Sequence, residues 1–133
     1  MKNLTSVLIL VSVTFMAVGS TCGCNTGKTQ PVSGTVTYNG IPVEMGSISF
    51  ISDDPDIAPV GGVIEQGKFS FTASVGKNRV EIFGSRPLPP ERQDSPGAIL
   101  YEDYIPAEFN TASTLSIEVN SSTTVFPFNL SGP

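Results

Sequence analysis

The sequence predicts an all-β fold, an antiparallel β-sandwich of about seven strands, and three observations lead to it. Gly (13) and Pro (11) interrupt the chain every few residues. Stretches rich in Ala, Leu, Glu and Lys, which favour helices, are missing after the amino-terminal leader. From Pro31 onward apolar residues recur with period two rather than 3.6. Apolar residues make up 39% of the chain and charged residues 14%, too apolar and too sparsely charged a mixture for disorder. An open barrel is the alternative architecture for the same pattern.

The elements follow in order. Residues 1–24 read MKNLTSVLILVSVTFMAVGSTCGC: one Lys beside the amino terminus, an uncharged apolar run from Leu4 to Val18, then the small residues Gly19, Ser20 and Thr21. This is the three-part layout of a secretory signal peptide, assigned to 1–23, and it makes the protein an exported one. The apolar run, about 15 residues, falls short of the roughly 20 that a membrane-spanning helix needs. The arrangement T-C-G-C resembles the bacterial lipobox, although Thr21 stands where that motif usually carries Leu. By this resemblance the Cys24 thiol, preceded by Gly23, receives a diacylglyceryl group and attaches the protein to the membrane, each buried methylene contributing about 0.8 kcal/mol. Cleavage after Gly19 or Ser20, which leaves a free exported protein with both Cys22 and Cys24, is the alternative. No Cys lies in the domain, so it holds no structural disulfide. Residues 24–30 form a short polar linker and residues 31–133 the domain.

Within the domain, the first strand spans Val32–Tyr38 and is followed by Asn39-Gly40, the dipeptide of tight hairpin turns. In Gly46–Ile51, Ile48 and Phe50 share an inward face. Further strands are expected at Gly61–Glu65, at Lys68–Thr72 with Phe69 and Phe71 on one face, and at Arg79–Phe83 with Val80 and Ile82 on one face. Gln66-Gly67 and Val75-Gly76 mark the turns between them. The loop GSRPLPPERQDSPG follows, whose prolines are expected to deny it ladder pairing. Leu115–Val119 and Val125–Leu130 close the series, Pro127 placing the last strand at an edge or a bulge.

A family resemblance covers about residues 31–130. The runs VSGTVTYNGIPVEMGSISF, GKFSFTASVGKNRVEIFG and IPAEFNTASTLSIEVNSSTTVFPFNL resemble the carboxypeptidase regulatory-like (transthyretin-like) β-sandwich domain, found alone in many small bacterial lipoproteins. The opening G-x-V-x-Y-N-G-x-P-V, Gly34 to Val43, is its most distinctive part. The resemblance implies a prealbumin-like or immunoglobulin-like sandwich with no catalysis of its own. Ile41 departs from it, standing where the family often carries a polar residue.

Chemistry is sparse. The chain contains no His, which removes Ser-His and Cys-His nucleophile systems and His-ligated zinc. No catalytic residue, metal site or cofactor is expected. The formal charge is −5, or −6 (six Lys/Arg against twelve Asp/Glu) once Lys2 leaves with the leader, and there is no basic block, which excludes a nucleic-acid partner. Two clusters remain as ligand-binding candidates. Asp53, Asp54 and Asp56 in SDDPD offer oxygen ligands of the kind Ca²⁺ takes, or else form a solvated acidic turn. Tyr101, Glu102 and Tyr104 in YEDY combine aromatics with a carboxylate, as sugar- and peptide-binding surfaces do, or else pack over the end of the fold. The expectation is a non-catalytic exported envelope lipoprotein whose sandwich is an interaction or structural module for an envelope protein partner. The alternative is a small-ligand module for carbohydrate, peptide or Ca²⁺.

Overall fold

The computed structural model describes residues 28–93 and 96–133. The signal-peptide assignment 1–23, Cys22, Cys24, residues 25–27 of the linker, and Asp94 and Ser95 of the Pro-rich loop lie outside the described residues. Among the described residues no helix is long and apolar enough to cross a membrane.

Where apolar and polar residues alternate, the chain runs as strand. Among the described residues there are nine strands: β1 (Thr29–Tyr38), β2 (Ile41–Pro42), β3 (Met45–Ser52), β4 (Val60–Glu65), β5 (Lys68–Ser74), β6 (Gly76–Pro87), β7 (Tyr101–Asp103), β8 (Ser116–Val119) and β9 (Val125–Leu130). β1 begins inside the segment read as linker, Thr29 and Gln30 pairing with Ser74 and Ala73. Two hairpins close as the turn dipeptides predict. Asn39 and Gly40 take φ of 50° and 80°, and Gln66 and Gly67 take 52° and 74°, the double positive φ of turns whose twist matches the strands they join. Val75-Gly76 is instead a corner: β5 pairs with β1, while β6 pairs with β3, β7 and β8.

The hydrogen-bonded path is continuous, β2-β1-β5-β4-β3-β6-β7, with β8 also on β6 and β9 on β1. All pairings are antiparallel except β1 with β9. The strands thus form one curled sheet, a half-barrel. Its curvature is fixed by aromatic contacts. Phe50 on β3 lies four strand spacings from β9, about 19 Å in a flat sheet at roughly 4.8 Å per strand. Its ring centroid is nonetheless 6.0 Å from Phe126 and 6.4 Å from Phe128. The bend falls at β4–β5, which share a single ladder pair, Glu65 with Lys68. The concave side holds the core, including Val32, Val36, Ile48, Ile64, Val80 and Ile82. Gly34 is required where β1 meets β9, because a Cβ there would run into the Phe126 carbonyl and the Phe69 ring.

The Pro-rich loop corrects one expectation. Its first residues do enter a ladder: Ser85, Arg86 and Pro87 pair with Asp103, Glu102 and Tyr101. Gly84 O accepts from Tyr104 N and Leu88 N donates to Leu100 O, so even-numbered residues of β6 turn their backbone groups toward β7. The N–H that Pro87 lacks falls on the opposite side, past the last β3 pair, Gly46 with Gly84. Pro127 follows the same logic. Thr124 O and Leu130 O accept from Ser33 N and Asn39 N, so Pro127 faces the open edge of β9. The edge position read from Pro127 is the one the strand occupies.

Candidate functional site

The two sequence clusters stand at opposite ends of β6. Asp53 meets Lys77 at its start (Oδ2 to Nζ 3.6 Å), and Glu102 meets Arg86 at its end (Oε1 to Nε 2.9 Å). Nine residues of strand at about 3.3 Å each put roughly 30 Å between them, so they do not share a site.

In the β3–β4 loop the aspartates are exposed and engaged locally. Asp54 N donates to Ser52 Oγ (3.1 Å), and Asp54 Oδ1 accepts from Asp56 N (3.0 Å), the self-satisfied geometry of an Asx turn. Among the described residues no three Asp, Glu, His or Cys side chains converge as a metal-holding group.

The YEDY segment is split by strand alternation. Tyr101 is 51% exposed, and Asp103 on the same face of β7 accepts from Ser85 Oγ (2.6 Å). Glu102 and Tyr104 take the other face, half-buried. There Glu102 lies between two arginines, with Arg92 Nη1 3.4 Å from its second oxygen. The Arg86 guanidinium lies over the Tyr104 ring, 5.2 Å from its centroid. Burial pushes the Tyr104 hydroxyl up from its ordinary value, with Arg86 opposing and Glu44 adding to the shift. The phenol is therefore neutral at physiological pH. Its folded pKa exceeds the unfolded value of 10.0, so the stability it contributes is intact below pH 10 and declines as pH rises through the folded pKa. Tyr104→Phe is expected to flatten the alkaline limb of a stability-versus-pH curve measured by denaturation. An unchanged limb would show that the phenol is not held in this environment.

Tyr104 also brings the side chains of distant strands together. Its ring makes an edge contact with Tyr38 of β1, 5.8 Å between centroids, although a flat sheet would place β1 and β7 five spacings, about 24 Å, apart. Along this seam lies a cleft of about 650 Å³. Tyr38 and Ile41 line it from one end of the sheet path, Arg86 and Tyr104 from the other, with Glu44 and Met45, where the chain enters β3, between them. Ile41 is 69% and Met45 50% exposed. A larger, shallower trough, about 1000 Å³, runs past Ser33, Thr35, Lys68, Phe69 and Ser70.

Of the residues singled out from sequence, Glu102 and Tyr104 lie at or beside the seam, and the aspartates and Tyr101 do not join them. Sequence reading missed Tyr38, Ile41, Glu44, Met45 and Arg86 as site residues. One signal was present: a bulky aliphatic at Ile41, directly after a turn glycine, where a polar residue is expected. No protein-family model, curated protein or solved structure matches the chain.

Proposed function

We propose that the chain is a non-catalytic exported envelope lipoprotein, attached to the membrane through a lipid on Cys24, whose β domain is an interaction module with the seam as its contact surface. The exposure of Ile41 and Met45 beside Tyr104 and Arg86 carries this reading. Aliphatic side chains left in water next to aromatic and Arg groups are what binding surfaces present. Export and anchoring rest on the leader and on T-C-G-C, and the non-catalytic part on the absence of His. In fold, the half-barrel is a variant of the carboxypeptidase regulatory-like sandwich. Its two leaves hinge at the single Glu65–Lys68 pair, and Phe50 of one packs on Phe69, Phe71, Phe126 and Phe128 of the other.

The same cleft favours a small-ligand module as the second reading, since its volume falls within the roughly 300–1,000 Å³ of ligand sites. The calcium form of that reading draws no support from the SDDPD turn, where the Asp53 and Asp54 carboxylates are engaged locally.

Intact mass and detergent partitioning of the native protein beside Cys24→Ala test the anchor. Acyl mass on Cys24, with the variant leaving the membrane fraction, is the expected result. A soluble native protein cleaved near Gly19 would overturn it. Crosslinking in intact envelopes tests the module, which fails if no stable partner is captured.

A further inference from the structure

The inference rests on the interaction reading of the seam and names the chemistry of what binds there. We propose that the cleft takes an extended peptide segment of a partner protein that carries one carboxylate beside an apolar side chain.

The charge arrangement is the first support. Arg86 and Arg92 converge on the single carboxylate of Glu102, at 2.9 and 3.4 Å, so Arg86, the one of the three that lines the cleft, shares its partner with a second cation. The Arg86 side chain bonds Glu102 through Nε alone, and among the described residues this is its one side-chain hydrogen bond. Its two terminal nitrogens, part of a planar fork that matches a carboxylate with paired bonds, are uncommitted. The side chain is 60% exposed, so a ligand reaches it. Tyr104 beneath the guanidinium fixes its plane.

Other lining residues supply the apolar requirement: Ile41, Pro42, Met45 and Pro87 all face the same cleft. A side chain seated there covers aliphatic area now in water. Glu44 shares the cleft and sets a limit on charge: a run of acidic residues would meet it, so the ligand carries a single carboxylate with neutral neighbours. The aromatic geometry turns against a saccharide. Arg86 covers Tyr104 and Tyr38 meets that ring at 66°, so the two tyrosines do not form the open platform on which a sugar ring stacks.

The test is calorimetric titration of the full, detergent-extracted protein with three blocked peptides, Ac-Leu-Asp-Leu-NH₂, Ac-Leu-Asn-Leu-NH₂ and Ac-Leu-Lys-Leu-NH₂. The Asp peptide is expected to bind on the order of tenfold or more tighter than the Asn peptide, the difference made by a charge-assisted, two-bond contact. Arg86→Gln should abolish that difference with the melting temperature kept, since the side chain is largely exposed, and Ile41→Ser should weaken both peptides together. Equal affinity for Asp and Asn, preference for Lys, or no heat from any peptide at millimolar concentration overturns the inference. A photo-crosslinker replacing Ile41 separates the two levels. If it captures an envelope protein while the peptides show no carboxylate preference, the seam is a docking surface of other chemistry. If capture occurs only from β9, the seam reading falls as well.

Discussion

Truncating Phe50 to alanine is expected to lower the stability of the domain by about 3–5 kcal/mol. The ring is fully buried on β3 and meets four phenylalanines at steep angles: Phe71 at 4.8 Å and 70°, Phe126 at 6.0 Å and 85°, Phe69 at 6.2 Å and 72°, and Phe128 at 6.4 Å and 72°. These are edge-to-face pairs between the two leaves of the half-barrel, where the positive rim of one ring meets the negative face of another. Removing the hub leaves a cavity that the leaves can fill only by closing further at the β4–β5 bend. The Ile48 and Ile64 side chains already packed in the core resist that closure. A domain of roughly 100 residues has about 5–15 kcal/mol in total. At about 4–8 °C per kcal/mol the melting temperature should fall by at least 12 °C or so. Thermal and urea denaturation read the effect directly. A loss below about 1 kcal/mol, the range of exposed substitutions, would mean that the two leaves do not meet at Phe50.

Replacing Asn78 with Asp should cost about 3 kcal/mol or more at neutral pH. Asn78 is fully buried near the start of β6, and its Nδ2 donates to Ser74 O and Gly76 O, both at 3.0 Å. These two bonds hold the corner at which the chain leaves β5 and enters β6. Oδ1 has no partner among the described residues. In Asn78→Asp the donor becomes an acceptor that faces two carbonyl oxygens, in a place where an ionised group loses its hydration. The introduced carboxyl therefore titrates above the ordinary Asp value of about 3.9. Its neutral form is the one the fold tolerates, so the penalty is smallest below pH 4 and grows as pH rises through the raised value. Denaturation at pH 4 and pH 7, beside the parent protein, should show the deficit narrowing in acid. A deficit equal at both values would mean that the introduced group reaches solvent and that the corner opens.

Which parts of this fold are legible in the sequence depends on how local their cause is. Alternation at Gly46–Ile51 and Lys68–Thr72 and the dipeptides Asn39-Gly40 and Gln66-Gly67 act within a few residues, and the corresponding strands and turns are where they are expected. β7 was hidden because Glu102 and Asp103 are poor strand formers and the loop before them carries four prolines; its ladder depends on the distant cross-strand partners Ser85, Arg86 and Pro87. β2 is two residues long, below any periodicity. The parallel pairing of β9 with β1, and with it the curl of the sheet, is decided by Gly34 and the phenylalanine cluster across some 90 residues of chain. The seam shares that origin. Its walls come from residues 38–45 and 85–104, each unremarkable alone, and only their meeting makes a cleft.

The parallel β1–β9 ladder has a mechanical consequence. It joins Ser33–Tyr38 to Val125–Leu130, six residue pairs in register, from strands at opposite ends of the described domain. Tension applied between Thr29 and Leu130 draws β1 toward its amino end and β9 toward its carboxyl end. The two strands are then loaded in shear, along their length, and the evenly spaced bonds of a parallel ladder share the load instead of opening one after another. Anchored at one end and gripped through the other, the domain would act as a clamp that yields all at once.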